Sequence, residues 1–134
     1  MDEAIISKIS LEEYGGYWDQ GTHCRVEIKF MEGEGYISFR GTHSIWKLYG
    51  TLQGELTTVD VERLQEAFEH IQFFELESDY RSKKTDSSGI YVEVKKEDGA
   101  VKSVQGDLDQ MPIGLWLLIR SIEALVLQER WKKG

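Results

Sequence analysis

The stretch TVDVERLQEAFEHIQFFELESDYRSKKTD, Thr58 to Asp86, decides how this chain is read. Val61, Leu64, Phe68 and Ile71 recur at three- and four-residue spacing, the period of a helix with one buried side. Thr57 or Thr58 stands where a hydroxyl caps the first turn. Asp60 lies within that turn, where the helix dipole favours a negative charge. Glu62, Glu66 and Glu69 fall on the opposite stripe. The spacing therefore predicts a helix with its inner face in a core and its outer face acidic. Phe73-Phe74-Glu75-Leu76, Tyr80 and the pair Thr85-Asp86 follow it.

Upstream of this helix the pattern changes from period 3.6 to period 2. Ile5, Ser7, Ile9 and Leu11 share one face of a first strand that ends near Gly15-Gly16. An aromatic loop from Tyr14 to Thr22 holds Tyr17 and Trp18. Glu32-Gly33-Glu34-Gly35 puts glycine at the first central position of a type II′ hairpin turn. That turn sets Phe30 opposite Ile37, Ile28 opposite Phe39, Val26 opposite Gly41 and Cys24 opposite His43. It also sets Glu27 against Arg40, an opposite-charge pair on the other face. A fourth strand is expected from about Ser44 to Leu52.

Downstream, a polar loop from Ser78 to Gly89 leads into Ile90, Val92 and Val94, one face of a further strand. Glu97-Asp98-Gly99 marks its turn. A four-residue loop from Lys96 to Gly99 sets Val94 against Val101 and Glu93 against Lys102, avoiding the Lys95–Lys102 clash of a two-residue turn. Pro112 opens a last helix, in whose first turn a proline is tolerated. Leu115, Leu118, Ile119, Ile122, Leu125 and Val126 form its core side. Trp116, Leu117 and Leu127 widen the apolar surface, so burial over most of the helix circumference is expected. The expected fold is α+β: a mostly antiparallel sheet of about six strands, in the order ββββαββα, with two helices packed on one face. Residues 1–134 are read as one domain.

The totals narrow function. A net charge of −8 excludes the basic footprint that a nucleic-acid backbone requires. It suits a partner with a cationic surface. Between Asp60 and Asp79 there are seven acidic residues and one basic residue, Arg63. The single cysteine, Cys24, leaves no internal disulfide. Met1-Asp2-Glu3 has no basic leader character, and Leu115 to Leu127 is interrupted by Arg120, Ser121 and Glu123. No membrane association is expected, and the cytoplasm is the expected compartment.

Candidate chemistry is sparse. His23, Cys24 and His43 are metal-ligand types, but adjacent strand residues point to opposite faces, which leaves two ligands on one side. His70 sits on the first helix, four residues from Glu66. Asp107-Leu108-Asp109 has too few oxygens for a calcium cage. No phosphate loop, nucleophile elbow or paired-cysteine motif occurs. The chain is therefore expected to be non-catalytic, with no cofactor and no metal.

Phe73-Phe74-Glu75-Leu76-Glu77-Ser78-Asp79-Tyr80 followed by Thr85-Asp86 resembles a family of small uncharacterised bacterial domains. In that family a capped helix leads to a double-aromatic turn, a tyrosine and a Thr-Asp pair. A hairpin and a proline-initiated final helix ending in tryptophan follow. Pro112, Leu115, Leu118, Ile122 and Trp131 look similar to that last part. The chain departs from the family's Cys-Pro pair at His23-Cys24-Arg25-Val26, and Ser87-Ser88-Gly89 replaces a proline after Thr85-Asp86. The resemblance implies the fold and no activity.

The functional expectation is a non-catalytic protein-binding domain, in its concrete form an acidic immunity or inhibitor-like protein that neutralises a basic partner. Glu62, Glu66, Glu69, Tyr17 and Trp18 are the expected contacts. The alternative is an enzyme or small-ligand-binding domain built on a loop holding Tyr80, Thr85 and Asp86.

Overall fold

The computed structural model describes residues 5–14, 22–43, 46–80, 89–128 and 131–133. The chain runs β1 (Ile6–Tyr14), β2 (Thr22–Met31), β3 (Glu34–His43), β4 (Leu48–Leu56), α1 (Thr58–His70), β5 (Asp79–Tyr80), β6 (Gly89–Lys96), β7 (Val101–Gly106), α2 (Ile113–Gln128) and β8 (Lys132–Lys133). The strands make one sheet in the order β5-β7-β6-β1-β2-β3-β4-β8. The α+β class and the mostly antiparallel sheet are as expected, but the strand count is not. The six long strands are joined by a two-residue strand at each edge: β5, which pairs in parallel with β7, and β8, which pairs with β4.

β1 is central because it pairs with β2 on one side and β6 on the other. It joins the N-terminal meander to the second hairpin, and α1 carries the chain back across the sheet between them. One face of the sheet is apolar. Ile9 and Leu11, Val26 and Ile28, Ile37 and Phe39, Val92 and Val94, and Val104 are all at most 1% exposed. Both helices contribute to the same core, α1 through Val61, Leu64 and Phe68, and α2 through Leu115, Ile119, Ile122 and Val126. The opposite face is polar. There Glu27 pairs with Arg25 at 2.9 Å and Lys8 at 3.6 Å, and the Tyr91 hydroxyl meets Ser103 Oγ at 2.8 Å.

Several local expectations are corrected. The β2–β3 turn centres on Glu32-Gly33, both with positive φ (53° and 82°), as a type I′ turn requires. The register consequently slips by two: Ile28 faces Ile37, Val26 faces Phe39, Cys24 faces Gly41 and Glu27 faces Ser38. Glu27 takes its ion partners from neighbouring residues of the polar face, and Arg40 faces Arg25. A slip of two leaves every side chain on its expected face.

The second hairpin turns on three residues. Lys96 N–H donates to Ala100 O at 2.8 Å, Gly99 takes φ 94°, and Val94 faces Lys102 rather than Val101. β4 begins at Leu48, four residues later than expected, because Trp46 and Lys47 form a turn, with Lys47 at φ 56°.

In β1 a register shift between Ile6 and Lys8 buries Ile6 (5% exposed) and turns Ile5 outward (54%). The displaced Ile6 backbone is satisfied by Gln65 of α1: Ile6 N–H donates to Gln65 Oε1 at 3.0 Å, and Gln65 Nε2 donates to Ile6 O at 2.8 Å. A side-chain amide thus replaces a strand's hydrogen bonds at the irregularity.

The last helix is less covered than its composition suggested. Ile113, Leu117 and Leu127 are exposed by 75%, 53% and 58%. No described helix is long and apolar enough to cross a membrane.

Candidate functional site

The acidic surface begins with how α1 is set. Thr57 Oγ1 accepts a hydrogen bond from Asp60 N–H at 3.1 Å, the expected cap. Val61, Leu64 and Phe68 then face the sheet, which turns Glu62, Glu66 and Glu69 to the exposed side. The approach to the sheet is close: a Cβ on Gly35 of β3 would stand 2.6 Å from Val61 Cγ2. Arg63 is committed to Asp60 at 3.8 Å. Among the described residues Glu62, Glu66 and Glu69 have no ion pair, so their charges face solvent together.

α1 stops at Ile71, and Gln72 takes the left-handed conformation at φ 53°. That residue throws the chain into a 3-10 turn, Phe73–Glu75. Phe73 (1% exposed) packs edge-on to Phe68 at 5.4 Å and to Phe74 at 6.1 Å between ring centres. A groove of about 590 Å³ opens between this turn, the end of α1 and the start of β1. Phe68, Phe73, Phe74 and Ile5 supply apolar wall, while Glu69, Glu75 and Lys96 supply charge. The Lys96 ammonium lies 4.6 Å from the centre of the Phe74 ring. Glu69 belongs both to the acidic stripe and to the groove.

The other expected site residues fare differently. Tyr17, Trp18, Thr85 and Asp86 lie outside the described residues. Tyr80 is in β5, half-buried, and its hydroxyl accepts from Glu77 N–H at 3.0 Å. Its backbone sits so close to Gly106 that a Cβ there would come within 2.6 Å of Tyr80 C. Tyr80 therefore closes a turn and anchors the parallel edge strand.

A buried acidic pair escaped the sequence reading. Glu13 of β1 is 9% exposed and Glu123 of α2 is 5% exposed. Burial, then the hydrogen bond and charge of Glu123, push the Glu13 carboxyl up to about 9, with Arg120 opposing. Glu13 is therefore protonated at neutral pH. Arg120 Nη1 donates to Glu123 Oε1 at 2.8 Å and stacks its guanidinium near Trp116 at 5.7 Å. Glu13 Oε2 is buried without a hydrogen-bond partner. Cys24 stands across the strand from Glu13, and burial pushes its thiol up to about 12. A thiol held protonated is neither nucleophile nor thiolate ligand at neutral pH. The signal for Glu13 was in the chain: it follows Ile9 and Leu11 at period 2, on the apolar face.

His23 is exposed, whereas His43 is buried and stacked on Trp46 with ring centres 3.6 Å apart. His43 Nδ1 accepts from Trp46 N–H at 3.2 Å. Among the described residues no group of three or more His, Cys, Asp or Glu side chains could hold a metal ion.

Fold and surface together define a small α+β domain with an acidic helix bordering a groove. The model of a family described as a domain of unknown function, DUF6438, matches residues 23–126, and the chain belongs to that family. This agrees with the resemblance to uncharacterised small domains. The match covers the acidic stripe and Glu123, and begins after β1 with its Glu13. No curated protein matches the chain.

Proposed function

We propose that this chain is a non-catalytic protein-binding domain that takes a partner with a basic surface against the outer face of α1. The row Glu62, Glu66 and Glu69 carries this reading: three exposed carboxylates on one stripe, with no paired cation among the described residues. Like charges at this spacing cost about 0.2–0.5 kcal/mol per pair. A Lys- or Arg-rich surface laid over the stripe removes that cost. The chain's net charge of −8 steers such a partner in from a distance. An immunity or inhibitor-like protein that neutralises a basic toxin domain is the concrete form of this function, with the cytoplasm as its proposed compartment. The alternative reading, an enzyme or ligand loop, draws on Tyr80, whose hydroxyl accepts from the Glu77 amide, and on Thr85 and Asp86, which lie outside the described residues.

The reading requires a gene for a basic protein beside this one, and the test is association with that protein, measured at two salt concentrations; an adjacent gene without a basic product counts against the immunity role. The association rate is expected to fall roughly tenfold or more as salt is raised, because charges separated by more than a Debye length are screened. Glu62→Lys, Glu66→Lys and Glu69→Lys combined should lower the low-salt rate by a similar factor. Absence of binding, or binding insensitive to both salt and charge reversal, overturns the proposal.

A further inference from the structure

The groove at the end of α1 goes beyond a charged face. We propose that it anchors an extended segment of the partner in which a large apolar side chain is flanked by Lys or Arg. This rests on the protein-binding reading above and adds to it a site and a sequence chemistry.

The groove's volume of about 590 Å³ falls in the roughly 300–1,000 Å³ range of ligand-binding cavities. It exceeds what one side chain needs and leaves room for the backbone on either side. Phe68 and Phe73, in edge-to-face contact and nearly fully buried, back the groove from beneath, so its shape exists before a ligand arrives. Phe74 and the outward-turned Ile5 form the walls. Gln65 lines the groove too, but both ends of its amide are taken by the Ile6 backbone. Recognition of charge therefore falls to Glu69, Glu75 and Lys96.

Two carboxylates and one ammonium leave the lining acidic, which sets the sign of the ligand. Neither Glu69 nor Glu75 has an ion pair among the described residues. Glu69 continues the stripe of Glu62 and Glu66, so a chain lying along α1 runs into the groove. Among the described residues that line the groove, Lys96 is the one like charge a basic segment meets. Its ammonium covers the Phe74 ring in the free protein, a position for which an incoming guanidinium would compete. Lys96 is thus predicted to oppose the ligand, and its removal to favour it.

The experiment follows amide shifts of the ¹⁵N-labelled full chain on titration with three capped pentapeptides: Lys-Arg-Phe-Lys-Arg, Lys-Arg-Ala-Lys-Arg and Glu-Asp-Phe-Asp-Glu. The basic phenylalanine peptide should shift the amides of Gln72, Phe74 and Glu75. It should bind at least tenfold more tightly than its alanine counterpart, and the acidic peptide should not bind. Lys96→Met, which keeps an apolar stem over Phe74, should tighten binding two- to fivefold, and Glu75→Lys should weaken it at least fivefold. Equal binding of the two basic peptides, with shifts confined to Glu62 and Glu66, overturns the groove and leaves the acidic face standing. Weaker binding by the Lys96→Met variant, or no binding by either basic peptide, overturns the groove proposal. Binding of the acidic peptide alone overturns both readings.

Discussion

Glu13 shows how one residue ties chemistry to stability. Its carboxyl titrates at about 9 in the fold and at 4.5 ordinarily. Between those values the folded chain keeps a proton that the unfolded chain has lost. The contribution of this group to stability is therefore fully present below about pH 4.5 and is lost as pH rises towards 9. By pH 7 the loss amounts to about 3 kcal/mol. Glu13→Gln keeps a neutral, hydrogen-bonding side chain in the same space and removes the titration. Urea unfolding between pH 5 and 9 should show the variant gaining on the wild type as pH rises; parallel curves would rule out the raised Glu13 carboxyl.

Gln72 makes a second point at this scale. A non-glycine residue at φ 53° ends α1, where glycine is the usual choice. Gln72→Gly should raise stability by about 0.5–1 kcal/mol, read as a higher thermal midpoint.

At the scale of elements, α1 was the most legible because its determinants are local. The Thr57 cap, Asp60 and the stripe Val61, Leu64 and Phe68 lie within a dozen residues and required no knowledge of the sheet. Thr57→Ala is expected to cost about 1 kcal/mol by stranding the Asp60 amide, measured by denaturant unfolding. The hairpins were half legible. Alternation assigned the faces of β2, β3 and β6 correctly, but the slip of one in the second hairpin put Val101 of β7 outside, 53% exposed, and Val104 in the core; the registers depended on which residues adopt positive φ. Glu32 does so beside Gly33, at a position most side chains avoid, and this moved the turn centre by one residue and the pairing by two. β5 was invisible for another reason. Two residues carry no period, and their pairing with β7 depends on Gly106 admitting the Tyr80 backbone.

At the scale of the molecule, the apolar face of the sheet and the inner stripes of both helices form one core, and the C-terminal end is tied into it. Phe39 is fully buried and lies 6.3 Å from the Trp131 ring, whose Nε1 donates to Val126 O at 3.0 Å. Phe39→Ala should destabilise the fold by about 3–5 kcal/mol. It should also increase hydrogen exchange where Lys132–Lys133 pairs with β4; unchanged exchange there would show that the C-terminal strand docks independently.

The sequence by itself determined the class of fold, the faces of β2, β3 and β6, the α1 helix with its cap, and the acidic row Glu62, Glu66 and Glu69. These follow from local periods of two and 3.6 residues and from capping chemistry that acts within a single turn. Tertiary structure alone decided that Glu13 meets Glu123, that Gln65 completes the Ile6 backbone, and that Phe74, Lys96 and Ile5 converge on one groove. Each of these joins residues far apart in the chain. Alternation could place Glu13 on the apolar face, but these contacts, and the protonation of Glu13, depend on which elements the packed core brings together, and no local pattern carries that information.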